Sequence, residues 1–212
     1  QYFSVMDNRL TGTVPPTWAA WDSVEYLSLE KNSLTGSLPE LVFQLPQAQD
    51  LLLGYNAWSG TIPEGISEMG SLRSLVLRGA GIEGSLPSDF GNWSAETVDL
   101  ATNNITGTLP PDLFFMTQLQ SLYLTGNNLS GTLPNTTNTT TITTLDLSSN
   151  QLSGSLPDSL ALLKNLQYLA LKNNNLTGTL PAPLGSLIEL EALYLHGNQV
   201  SGTVPEDWAG MR

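Results

Sequence analysis

The side chains able to do acid–base or nucleophilic work are few and scattered. The chain has one histidine, His196, and no cysteine. Histidine is the usual proton carrier near neutral pH, but His196 belongs to no recognisable catalytic motif. A lone histidine is more often a packed or surface residue than a catalyst. Without cysteines or a histidine pair there is no transition-metal ligand set, and disulfides and thiol nucleophiles are excluded. Acidic pairs such as Glu206 and Asp207 fall at variable positions. They read as a solvated face, although two carboxylates of glycosidase type are defined by a separation in space that spacing in sequence leaves open. The expectation is a protein that is not an enzyme and holds no cofactor and no metal.

Binding chemistry is better represented. Tyr123, Asp146, Tyr168, Lys172, Tyr194 and His196 combine aromatic faces with a few charges, the usual equipment of a sugar or peptide site. Tyrosine is also common on strands for packing alone. Hydroxyls form a second set. Pairs such as Thr11 and Thr13, Thr106 and Thr108, or Thr177 and Thr179 flank a recurring glycine, with Glu83 the exception. Amides form a third. Asn-x-Ser/Thr acceptor sites for N-linked glycans stand at Asn92, Asn104, Asn128, Asn135, Asn138 and Asn175. The formal net charge of −12, with only seven lysines and arginines, argues against nucleic acid and acidic membranes as partners. No apolar run approaches the ~20 residues of a membrane helix.

The elements that must position these residues are repeats. Gly-Thr/Ser-Leu/Val/Ile-Pro occurs nine times, with glycines at 12, 36, 60, 84, 107, 131, 154, 178 and 202. The steps are 23 or 24 residues. Before each glycine runs Leu-x-Leu-x-x-Asn-x-Leu-x-Gly, as in Leu169, Leu171, Asn174, Leu176 and Gly178. Leu-x-Leu has the period of a strand with both leucines inward. The Asn amide is placed to serve buried backbone groups of neighbouring coils. Proline ends strand pairing, and the glycine allows close approach. Apolar residues three and six positions after proline, as Leu160 and Leu163, make a single helical or 3₁₀ turn. One repeat cannot bury its apolar face alone, but stacked repeats can. The fold class is therefore an α/β solenoid: a right-handed superhelix of nine repeats over residues 1–212, with a parallel sheet on the concave face and short turns on the convex face. Two repeats depart from the pattern. Ala80 replaces the ladder asparagine, and Thr137 and Thr140 stand where other repeats are apolar, predicting a polar convex loop.

The chain resembles the plant-type extracellular leucine-rich repeats, with their Leu-x-x-Leu-x-Leu-x-x-Asn-x-Leu-Ser/Thr-Gly-x-Leu/Ile-Pro consensus, over essentially its whole length. Pro15, Trp18 and Trp21, and Pro205, Trp208 and Met211, also resemble leucine-rich surface-antigen repeats of protists. The resemblance implies a secreted or cell-surface eukaryotic glycoprotein that recognises a protein, peptide or glycan through its concave face. Two alternatives stand beside it: a fibre subunit that associates end to end, and an ice-binding protein using the Ser/Thr columns. Asn104, Asn128 and Asn175 each follow a ladder asparagine and should line one solvent edge. Neither end reads as a polar cap, which leads us to expect a longer array or head-to-tail stacking.

Overall fold

The computed structural model describes residues 1–135 and 141–210. Thr137, Asn138, Thr140 and Met211 lie outside that range, and with them the expected polar loop.

Each Leu-x-Leu segment is a three-residue strand. Nine of them, from Tyr2–Ser4 and Tyr26–Ser28 through Ser121–Tyr123, Thr144–Asp146 and Tyr168–Ala170 to Ala192–Tyr194, pair in chain order as one parallel sheet. The register keeps equivalent residues side by side: Val98, Leu122, Leu145 and Leu169 form one line across four strands. All four are fully buried, as is the second leucine of each pair, for example Leu147 and Leu171. Truncating such a leucine to alanine costs about 2–5 kcal/mol. On the far side of the coil the expected turns are 3₁₀ helices, among them Glu40–Gln44, Leu113–Phe115, Asp158–Leu162 and Ala182–Ser186. Leu160, Leu163, Leu184 and Leu187 hold them to the core with no exposed surface.

The repeat also carries a second line of strands that sequence reasoning placed only conditionally. The Ser/Thr-Gly segments are extended and pair in parallel. Thr11–Gly12, Ser33–Ser37 and Ala57–Ser59 form one short sheet; Glu83–Ser85 pairs with Asn104–Thr106; Ser130–Thr132, Gln151–Ser155 and Asn175–Thr177 form a third. Single bridges at Thr108–Ser130 and Thr179–Ser201 continue the line. The repeat glycine has positive φ in every coil. At Gly84, with φ +79°, an added Cβ would also stand 2.6 Å from Thr61 Cγ2. At Gly60 nothing lies within 4 Å, so there the dihedral alone demands glycine.

The ladder asparagines act as the sequence predicts. Asn56 Nδ2 donates to Leu29 O in the preceding coil (2.9 Å) and to Leu53 O and Gly54 O in its own. Its Oδ1 accepts from Leu34 N at 3.0 Å. The full set recurs at Asn150 and Asn174, and at Asn127 without the third donated bond. At Ala80 the missing donor is replaced from the preceding coil: Trp58 Nε1 reaches Leu53 O at 2.9 Å. The Ala80 and Ile82 amides both donate to Asn103 Oδ1. Gly81 brings its backbone so close that a Cβ would lie 2.5 Å from Trp58 O.

Candidate functional site

On the nine-stranded sheet, residues that alternate with the buried leucines face outward, so each strand contributes its first and third residues. The third position gives one column: Asp99, Tyr123, Asp146, Ala170, Tyr194. Pairing sets Tyr123 directly between Asp99 and Asp146. It also sets Ala170 between Asp146 and Tyr194. Tyr168, at the first position, packs against Tyr194 with ring centroids 5.5 Å apart. Tyr194 in turn meets His196 edge-on at 6.3 Å. The Lys172 ammonium stands 5.8 Å from the centre of the Tyr194 ring. The six residues singled out from sequence thus occupy one stretch of sheet across the last four strands. Burial pushes the Tyr168 phenol above its ordinary value, reinforced by Asp146, Tyr194 and Tyr123.

Sequence reasoning missed the continuation of this surface toward the N-terminus. Arg78 Nε donates to Asp99 Oδ2 at 2.8 Å, and its guanidinium carbon lies 5.9 Å from the Tyr123 ring centre. Burial works against the Arg78 charge. The Asp99 hydrogen bond and the charges of Asp99, Tyr55 and Asp146 outweigh it and raise the group above its ordinary value. Asp99 Oδ1 also accepts from Ala101 N, so both of its oxygens are engaged. Glu30, further along, is pushed up by burial; Lys31 opposes the shift and Asp99 adds to it. The signal was present: Asp99 lies in the column of Tyr123 and Asp146, one repeat earlier.

A second surface runs along the interrupted sheets. Thr35, Ser59, Thr106, Ser130, Ser153 and Ser201, each just before a repeat glycine, donate their hydroxyls to the preceding glycine carbonyl, as Ser59 to Gly36 O (3.1 Å) and Thr106 to Gly84 O (3.2 Å). The residues after it are held differently. Thr108, Thr132 and Thr179 keep their methyl groups over the next coil's glycine, within 2.9 Å of where a Cβ would stand. Both columns face outward, at about 4.8 Å per coil. Thr106, Thr108, Thr132, Thr177 and Thr179 are exposed. Of the sequon asparagines, Asn92, Asn104, Asn128, Asn135 and Asn175 are exposed. Asn104 and Asn175 open strands of these sheets. Among the described residues no cluster of three His, Cys, Asp or Glu side chains could hold a metal ion, and no helix is long and apolar enough to cross a membrane.

Two family models match. One, described as leucine rich repeat, covers residues 140–210; the other, of the same description, covers 23–45, 71–93 and 118–139. Together they span well over half of the chain. Curated protein sequences give no match. Among solved structures, the ectodomain of the Arabidopsis receptor kinase HAESA, in complex with an IDA peptide hormone ligand, is 30% identical with a TM-score of 0.91, over 97% of this chain and 35% of that one. The PEPR1–AtPEP1 structure is 31% identical with a TM-score of 0.84, over 100% of this chain and 33% of that one. A plant ice-binding protein is 26% identical with a TM-score of 0.56, over 81% of this chain and 71% of that one. The chain therefore spans about a third of the length of these two receptors.

Proposed function

Since the chain belongs to the leucine-rich-repeat family, we propose that it is a non-enzymatic, extracellular recognition module that binds a peptide or protein segment along its nine-stranded sheet. The observation that carries this reading is the continuous outward patch of Tyr123, Asp146, Tyr168, Lys172, Tyr194 and His196. Aromatic rings with fixed neighbours supply contact area at low entropic cost, and the flanking charges supply orientation. The likeness to receptor ectodomains solved with peptide ligands supports it. Five sequon asparagines are exposed, as attachment of N-linked glycans on a secretory route would need. The protist-like motif around Trp18 and Trp208 finds no support in the likenesses above and adds nothing to this reading. A displayed peptide library, selected on the parent and counter-selected on a Tyr168→Ala/Tyr194→Ala variant, tests the reading. Sequences that bind the parent and are lost on the variant support it; a library in which every selected peptide binds both equally contradicts it.

A second reading has its own observation. The hydroxyl columns form an outward array, and the chain is similar to a plant ice-binding protein. Ice binding through that array requires the protein to inhibit ice recrystallisation and a Thr108→Lys/Thr132→Lys variant to lose the effect. Equal inhibition by both proteins would place any ice contact elsewhere.

A further inference from the structure

We propose that the sheet takes a basic peptide segment, seating a guanidinium or ammonium group against Asp146 between the rings of Tyr123 and Tyr168. This rests on the reading of the sheet as the recognition face and names the chemistry it accepts. The column holds two carboxylates of different status. Asp99 is satisfied by Arg78 and by Ala101 N. Asp146 Oδ1 accepts from Ser148 N at 3.0 Å, while Oδ2 has no hydrogen-bond or ion-pair partner among the described residues. The two neighbouring cations sit against other groups: Arg78 bonds Asp99 and approaches the Tyr123 ring from that side, and Lys172 lies over the face of Tyr194. The residue opposite Asp146 in the next strand is the small Ala170.

A ligand cation there would meet a free carboxylate oxygen, the Tyr168 ring and the part of the Tyr123 ring that Arg78 leaves open. Cation–ring attraction operates within ~6 Å of a ring centre, and a guanidinium pairs with a carboxylate in a planar fork. The wider field favours the same sign. The net charge of −12 draws in a positive segment and repels an acidic one. An anionic ligand would have to approach Asp146 against both terms.

The test uses bacterially produced protein, because Asp146→Asn creates an Asn-Leu-Ser acceptor site for a glycan. The probes are three end-blocked decapeptides that alternate serine with arginine, with glutamine or with glutamate, titrated calorimetrically at low ionic strength. The Ser–Arg peptide should bind, and the other two should not. Asp146→Asn, which keeps the amide-accepting oxygen, should weaken Ser–Arg binding on the order of tenfold. Asp158→Asn, an exposed charge on the 3₁₀ side, should leave it unchanged. Equal loss from the two variants, no loss from Asp146→Asn, or no Ser–Arg binding would overturn the proposal. If instead the glutamine or glutamate peptide binds and Tyr168→Ala weakens it, the sheet is the recognition face but the cation site is refuted. If a peptide binds and neither Tyr168→Ala nor Asp146→Asn affects it, the recognition reading falls too.

Discussion

Asn127 illustrates how much of this structure one residue type carries. Its amide reaches Leu100 O and Leu124 O and its oxygen takes Ile105 N, all at 3.0 Å and all buried. Leaving a buried amide without its acceptor costs about 1–3 kcal/mol. Asn127→Ala should therefore destabilise the chain by roughly 3 kcal/mol in denaturant unfolding; a change under about 1 kcal/mol would mean that water or the backbone takes over. The role of these asparagines was readable because it recurs with the repeat. The rescue of Ala80 was not, since no spacing tells where an indole N–H points. Trp58→Phe should cost about 1 kcal/mol, the worth of its bond to Leu53 O. Nor did the sequence announce that Lys31, Tyr55 and Thr102, each just before the ladder position, adopt positive φ. The turn closing each coil imposes that conformation against the preference of the side chain. Glu30 gives a pH prediction. Burial raises its folded value, so the folded chain binds its proton more readily than the unfolded chain. The resulting penalty is full above the folded value and vanishes below the ordinary one. Glu30→Gln should raise the melting temperature at neutral pH, with the gain shrinking to nothing as pH falls below the carboxylate range. A gain that persists into acid would show another cause.

At the scale of the strand, the period of two and the step of 23 or 24 residues made the columns legible. Reading only the last four repeats found Tyr123, Asp146, Tyr168, Lys172, Tyr194 and His196 but lost Arg78 and Asp99, whose pairing crosses adjacent coils. A bond of that kind joins side chains at two positions of the repeat and leaves no mark in periodicity. The interrupted sheets were half legible. Ser/Thr-Gly reads as a turn or as a strand, and pairing with neighbouring coils decides for the strand. These strands also set the modification prediction. Asn104, Asn128 and Asn175 are exposed along that side, so native material should carry glycans there, seen as a mass loss on amidase treatment and as deamidated Asn at those positions. Unmodified asparagines at all three would remove the argument for a secretory route. Glycans at Asn104 and Asn175 would start two residues from Thr106 and Thr177 on the same strands. Ice recrystallisation should accordingly be measured with and without them.

Across the whole molecule, stacking turns a short repeat into two long surfaces with different chemistry. One is an array of exposed hydroxyls. The other is an aromatic and charged sheet, in which Asp99 is paired with Arg78 while Asp146 keeps one oxygen unpaired among the described residues. The fold follows from the repeat alone, since the internal coils bury the same leucines and the first and last cover theirs only in part. The choice of partner does not, because it depends on the residues that vary between coils. Net charge adds a long-range bias, screened beyond about 8–10 Å at physiological salt, so binding of a basic segment should weaken as salt rises. A nine-stranded sheet that serves as the recognition face must be protected when a ligand binds. Hydrogen exchange, followed residue by residue with and without a peptide selected on the parent protein, tests this most directly. Slowed exchange is expected in Ser121–Tyr123, Thr144–Asp146, Tyr168–Ala170 and Ala192–Tyr194 and in the residues just after them. Slowing confined to the 3₁₀ turns or to the Ser/Thr-Gly strands, with those four strands unchanged, would contradict that role.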